Sequence, residues 1–441
     1  MNKGLPDIML SGCEVMVSIL CLSFNHERYL RRALDSMIMQ ETNFRFEILV
    51  HDDASTDQSY NIITEYEKKY PLLIKSLKRS DNVYTKGDLL SIWKFFAENA
   101  NGCFFAFCEG DDYWCSKEKL QKQVSALVAR RGDISFHPTR RLNAKTGGFN
   151  GIYGKHLVSV EPGESEFIPF SVLGELFITS TIHISSVVIS KYAFSTFYDF
   201  FSKHPWLDVG DYFIKLMGLF SGAVYLNDCM SVYREFVSGS WSSTREKNIP
   251  LQMSHCIKML AVSKYIMELH DGKYLNLGFR HLQKYTLELH TLLQGTSEKY
   301  LADSFYSGLK TNLENEISAL APSNVIYYGA GSIYKSIVRN TDRHIVIDKG
   351  VVMMMENGVV ISKTAIETYV FPTDDIIVIT PLFRGVSIRD ELISKWAPYG
   401  HYIVLDDLLS IDFVNNSIFS SVKEYLCAQH QIKNISHLLM C

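Results

Sequence analysis

The 441-residue sequence has no apolar run long enough to cross a bilayer, no CxxC pair, no low-complexity tract and no excess of positive charge. Each absence removes a class of function. The most apolar stretches, Phe104 to Cys108 and Ile214 to Leu226, are too short or are interrupted by Lys215, whereas a membrane span needs roughly 20 residues. A net charge of -4 supplies no general field that would gather nucleic acid, which is therefore not an expected partner. Nine cysteines, an odd number without paired spacing, suggest neither a disulfide framework nor a zinc ribbon and read as reduced thiols. Cys103 and Cys108 belong to an apolar strand-like run and read as core. The opening MNKGLPDIML has no long apolar h-region and carries an acidic Asp7, so the expected site of action is the cytoplasm. Heptads and short-period repeats are also missing, which excludes a coiled coil or solenoid.

What is present is a chain with 47% apolar and 21% charged residues, long enough for two or three compact units. Val17 to Leu22 is a continuous apolar run ending at Ser23-Phe24-Asn25. Tyr29, Leu30, Ala33, Leu34, Met37 and Ile38 then fall on one helical face. The pattern repeats: Phe46 to Val50 enters His51-Asp52-Asp53-Ala54-Ser55-Thr56-Asp57, where Ser55 and Gln58 have the spacing of a capping box for the next helix. Phe104 to Cys108 leads into Glu109-Gly110-Asp111-Asp112-Tyr113-Trp114, followed by Leu120, Val124 and Leu127 at turn spacing. Strands alternating with helices predict a parallel sheet with polar loops at the carboxyl ends of its strands, where ligands bind in such folds. Later apolar runs at His183 to Ile189 and Ala223 to Leu226 extend a mixed α/β half.

Acidic side chains held at the end of a buried strand suit a hard divalent cation, whose remaining sites stay open to water and phosphate oxygens. Glu109, Asp111 and Asp112 meet that description. Aspartate also stabilises turns and helix starts, which is the plainer reading of Asp52 and Asp57 and an open one for Asp211 ahead of Phe213 and Leu216. Trp114, Trp206 and Trp241 would either stack on a sugar face or fill the core.

The strings VSILCLSFNHERYLRRALDS, EILVHDDASTD, CEGDDYW with KLQKQ, and GDYF with MSVYR stand in the order and at the spacing of family-2 glycosyltransferases, and roughly residues 16 to 242 resemble that family. The resemblance implies a GT-A nucleotide-sugar transferase domain, mixed and mostly parallel, acting on a nucleotide-sugar donor with Mn2+ or Mg2+. It places Ser23, Asn25 and Asp53 beside the donor nucleotide, and Glu109 to Asp112 at the DXD position, with Asp112 as metal ligand and Asp111 at the metal and the sugar. Asp211 falls at the catalytic base of inverting members, and Arg234 becomes a diphosphate contact through its planar fork. One departure stands out. Where the family pattern YRxH carries a histidine, Tyr233-Arg234-Glu235 is followed by Phe236, so Glu235, Arg234 or a water would take over part of that task. His137 and His183 read as core or acceptor-pocket residues.

The expected organisation is a GT-A domain over residues 1–245, a helical connector over 246–321 with an apolar stripe of Ile257, Leu260, Ala261, Tyr265 and Leu269, and a small Rossmann-like α/β domain over 322–441. In the last, Gly329-Ala330-Gly331 and Asp348 have part of a dinucleotide fingerprint, but Tyr334 occupies the third glycine's place, and partner docking, self-association or a small regulator is the expected use. The functional expectation is an inverting transfer from a UDP-sugar to a hydroxyl of a saccharide or lipid-linked saccharide in surface-polysaccharide synthesis. A lipid-linked acceptor would bring the chain to the inner face of the cell membrane. The rival is a non-catalytic nucleotide-binding or scaffolding protein whose site has decayed at Phe236.

Overall fold

A computed structural model describes residues 14–154, 161–179, 182–204, 209–240, 243–244, 248–268, 274–294, 299–320 and, from there to 405, the elements named below with their adjoining residues. The chain forms two compact units, 1–247 and 248–441.

The first unit begins with three repeats of strand and helix and the strand after them: β1 (Val17–Ser23), α1 (Leu30–Ile38), β2 (Phe46–Asp52), α2 (Ser59–Lys69), β3 (Ile74–Lys78), α3 (Leu89–Asn99) and β4 (Phe104–Phe107). The runs of β1 and β4 are apolar because both faces of the sheet are covered, so neither strand shows the alternation of a half-exposed one. There follow β5 (Tyr113–Trp114), α4 (Lys119–Arg130), β6 (Ile134–Phe136), β7 (Thr139–Asn143), β8 (Phe149–Tyr153), β9 (Ser165–Ile168), α5 (Phe170–Thr179), β10 (Val188–Ser190), α6 (Lys191–Lys203), α7 (Gly210–Leu219), β11 (Ala223–Leu226) and β12 (Ser231–Glu235).

The main sheet has eight strands in the order β3-β2-β1-β4-β10-β6-β11-β9. The first four are mutually parallel, β10 runs antiparallel between β4 and β6, and β9 closes the far edge antiparallel to β11. This is the mixed, mostly parallel α/β fold expected. A four-stranded sheet, β5-β12-β7-β8, stands beside it. The core under the parallel strands gathers Val17, Ile19, Leu34, Ile48, Val50, Phe104, Ala106 and Leu120, from strands and from both flanking helices.

The second unit holds three long helices, α8 (Ile249–Glu268), α9 (Leu275–Gln294) and α10 (Lys299–Leu320). A six-stranded sheet follows, built from β13 (Val325–Tyr328), α11 (Ser332–Ile337), β14 (His344–Asp348), β15 (Val351–Glu356), β16 (Val359–Ala365), β17 (Ile376–Ile379), α12 (Gly385–Lys395) and β18 (His401–Val404) in the order β16-β15-β14-β13-β17-β18. β14, β13, β17 and β18 run mutually parallel, while β15 and β16 form an antiparallel extension that the sequence did not signal. β16 is exposed along its whole length and so carries no burial periodicity. Asp348 ends β14 at a tight turn in which Lys349 and Gly350 both have positive φ, a hairpin rather than a crossover. Tyr334 is buried and its hydroxyl hydrogen-bonds the His344 ring. Ala330 and Gly331 lie outside the described residues.

Candidate active site

The acidic loop is carried to the carboxyl edge of the sheet by β4. Beyond the strand the backbone continues along β1, with Cys108 N donating to Leu20 O at 3.2 Å and Gly110 N to Leu22 O at 2.8 Å. A turn closes as Asp112 N donates to Glu109 O at 3.0 Å. Only glycine fits at 110 without displacing its neighbours, because a Cβ there would stand 2.7 Å from His26 Nδ1 and 3.3 Å from Leu22 O. The chain then enters β5, which pairs with β12 and so brings Arg234 to the loop.

Arg234 organises that loop. Its backbone N donates to Asp112 Oδ1 at 2.9 Å, its guanidinium donates to Asp111 O, and the same group lies over the rings of Tyr113 at 4.7 Å and Tyr29 at 4.9 Å. The side chain is buried, which suits a delocalised guanidinium that can stack on aromatic faces as it donates.

Three carboxylates are crowded here with little compensation. Asp112 is fully buried, and its Oδ2 has no hydrogen-bond partner, with His183 Nδ1 3.8 Å away. Burial, then the charges of Asp111 and Glu109, hold the Asp112 carboxyl well above the usual aspartate value. Glu109 is pushed up to about 8 by burial and by Asp111 and Asp211, with Lys215 opposing. Asp111 is met by His26 Nε2 at 3.7 Å. A shared concentration of negative charge of this kind is what a bound cation would relieve.

Asp211 arrives from a separate element. It stands in the first turn of α7, where the helix dipole favours an anion, and its side chain is 56% exposed. Lys215 Nζ donates to its Oδ2 at 2.8 Å. Burial by the surrounding protein works to raise its carboxyl, but Lys215 outweighs this and leaves Asp211 below the ordinary aspartate value. His183 is pushed down to about 3 by burial and then by Lys215, so its ring is neutral at physiological pH.

The remaining expected donor residues sit on the adjoining loops of β1 and β2. Ser23 ends β1 with a buried Oγ that has no partner, and its carbonyl accepts from Asp53 N at 2.9 Å. Asn25 has a positive φ, and its Oδ1 accepts from Thr56 N at 2.8 Å. Asp53 clamps the chain that follows β3, accepting from Val83 N at 2.8 Å and Tyr84 N at 3.0 Å. Asp57 accepts from Ser59 N and Glu27 N, the turn-stabilising role expected.

Several expectations need correction. Ser55 is no capping-box residue: α2 begins at Ser59, and the Ser55 hydroxyl donates to Asp52 Oδ2 at 2.6 Å while accepting from Asn25 N. Trp114 belongs to the core, 1% exposed, with Nε1 donating to Ser185 O. Trp206 and Trp241 lie outside the described residues. Glu235 is not a substitute for the missing histidine, because Arg141, Asn150 and Tyr153 all donate to its carboxylate on the other face of β12. Phe236 turns away at a positive φ, under Lys145. Cys103 is disulfide-bonded to a residue outside those described, whereas Cys21, Cys108, Cys115, Cys229 and Cys256 are free thiols.

Three contributors went unread in the sequence. His26 lies within the Phe24-Asn25-His26-Glu27 string, but only the fold sets it against Asp111. Tyr29 was read solely as part of the apolar face of α1 and also stacks on Arg234. Lys215 was seen only as an interruption of an apolar run, and that interruption was the available signal.

The description "Glycosyl transferase family 2" matches residues 18–172, and this part of the chain is a family-2 glycosyl transferase domain. An uncharacterized protein of Mycobacterium tuberculosis is 32% identical over 236 residues, 52% of this chain and 61% of the relative. The chain thus spans about three fifths of the length of that relative. The Escherichia coli UDP-Glc:alpha-D-GlcNAc-diphosphoundecaprenol beta-1,3-glucosyltransferase WfaP is 22% identical over 57% of this chain and 88% of its own. Among solved structures, Staphylococcus aureus TarS 1-349 in complex with UDP-GlcNAc aligns at a TM-score of 0.47 with 15% identity, covering 77% of this chain and 97% of that one. Among the described residues no helix is long and apolar enough to cross a membrane.

Proposed function

We propose that the chain is an inverting glycosyltransferase that moves a sugar from a nucleotide diphosphate sugar, a UDP-sugar by preference, to a hydroxyl of a saccharide or lipid-linked saccharide. The observation that carries this reading is the convergence of Glu109, Asp111 and Asp112 at the end of β4 with Asp211 at the start of α7, around a buried carboxylate oxygen without a partner. A structural aspartate has no reason to remain unsatisfied amid like charges. The name of the E. coli relative, a glucosyltransferase from UDP-Glc to a diphosphoundecaprenol-linked GlcNAc, agrees with the choice of donor and acceptor class.

The donor set of hard oxygens suits Mn2+ or Mg2+, with Asp112 and Asp111 as ligands, and such an ion would neutralise the charge gathering on the departing diphosphate. Among the described residues no three His, Cys, Asp or Glu side chains are grouped so as to hold an ion by themselves. Asp211 takes the proton of the acceptor hydroxyl. That oxygen forms its bond to the anomeric carbon as the bond from this carbon to the diphosphate oxygen breaks, and the electron pair leaves with the nucleotide. Ser23, Asn25 and Asp53 line the nucleotide end. Arg234 acts chiefly by holding the acidic loop in shape.

Calorimetry with UDP, GDP and dTDP, with and without Mn2+, tests the donor site on wild type and Asp112→Ala. Metal-dependent binding of one nucleotide, weakened at least tenfold in the variant, is expected. Binding of none would favour the scaffolding alternative. Product stereochemistry by NMR tests the mechanism, and retention of configuration would remove Asp211 as base.

A further inference from the structure

Lys215 is an ammonium where an apolar side chain would be expected. It lies on α7 among Phe213, Ile214, Leu216, Met217 and Leu219, all buried, and is itself 7% exposed. A buried charge is retained only when it is paired. The single carboxylate within ion-pair distance among the described residues is Asp211, one helical turn earlier, at 2.8 Å. Glu109 on the loop after β4 and His183 ahead of β10 complete the titratable surroundings of Asp211. His183 is held neutral there, leaving Lys215 as the cation that answers the negative charge.

We propose that Lys215 is a positioning residue for the reaction: its ammonium donates to Asp211 Oδ2 and fixes that carboxylate, so that Asp211 Oδ1 receives the proton of the attacking hydroxyl. The inference rests on the reading of Asp211 as base. The charge on Lys215 opposes the burial that works to raise the Asp211 carboxyl. Its rigid attachment to the same helix sets the carboxylate rotamer. A lysine in this place therefore acts through Asp211 and touches neither donor nor acceptor.

The test uses the full chain with Mn2+ and either UDP-glucose or UDP-GlcNAc, water serving as acceptor and UDP release as readout. In parallel, carbon-13 NMR of labelled aspartate carboxyls follows the titration of Asp211 in metal-free protein, the resonance being identified by its loss in Asp211→Asn. Lys215→Met is expected to lower kcat at pH 7 at least tenfold and leave KM for the donor within twofold. It should also move the Asp211 midpoint up by one pH unit or more, and Lys215→Arg should restore both. Lys215→Gln replaces the Met variant if that one does not fold. An unmoved midpoint in a folded variant overturns the inference, as does a rise in donor KM with kcat unchanged. If neither donor is turned over, the carboxyl titration decides alone. The base assignment fails separately: Asp211→Asn would then release UDP at the wild-type rate, while the titration would still report on Lys215.

Discussion

Replacing Glu109 by glutamine should make the metal-free protein less sensitive to alkali. In the folded chain the Glu109 carboxyl is raised from the ordinary 4.5 to about 8, by burial first and then by Asp111 and Asp211. Between these two values the folded state keeps a proton that the unfolded chain has released. Stability therefore falls as pH rises through that window, with a slope of up to about 1.4 kcal/mol per pH unit for each proton retained. Over the whole interval the ceiling is on the order of 5 kcal/mol, and because Glu109 is partly accessible a loss of about 2–3 kcal/mol is expected. Asp112 is raised for the same reasons and adds to the slope in the same direction. Glu109→Gln should thus reduce the loss, and the double variant with Asp112→Asn should reduce it further.

The assay is urea unfolding in EDTA at pH 5.5 and pH 8. Tryptophan fluorescence is a fitting probe because four of the five tryptophans, Trp93, Trp114, Trp206 and Trp241, belong to the first unit. Comparison between variants cancels the contributions of titrating groups that do not interact with Glu109, and the double variant accounts for Asp112, which does. Equal pH slopes for wild type and Glu109→Gln would refute the reasoning, since the carboxyl would then titrate alike in the folded and unfolded chains.

Arg234→Lys should destabilise the first unit by roughly 1–3 kcal/mol and weaken metal-dependent UDP binding, because an ammonium cannot both stack on Tyr29 and Tyr113 and reach Asp111 O; thermal unfolding and calorimetry measure the two effects. Gly110→Ala should cost about 1–3 kcal/mol through overpacking against His26 and the Leu22 carbonyl, and a circular-dichroism melt unchanged from wild type would count against the loop geometry. Asp53→Ala should release the backbone amides of Val83 and Tyr84, seen as faster hydrogen exchange there with the exchange of β4 unaltered. Adding Mn2+ with UDP to wild type at pH 8 should raise the melting temperature, and the same addition to Asp112→Asn should not.

The course of β1, β2 and β4 was legible because burial on both faces leaves a mainly apolar run, interrupted only at single positions such as Ser18 and Glu47, and because loops that carry Ser23, Asp53 and Glu109 to Asp112 directly follow such runs. Those local relations need only neighbouring residues. The pairing of Arg234 with Asp112, the approach of His26 to Asp111 and of His183 to Asp112, and the tying of Glu235 to Arg141 join residues far apart in sequence. No spacing rule anticipates them. β16 escaped notice because an edge strand exposed along its length need not alternate, and the Cys103 disulfide because pairing depends on distance in space.

By itself, then, the sequence determined the kind of sheet and the acidic character of its carboxyl edge, since these follow from local patterning and side-chain chemistry. Tertiary structure alone decided which carboxylate is left without a partner, which lies below its ordinary pKa under the hold of Lys215, and which arginine holds the loop. Those properties are set by burial and by charges brought together across the fold.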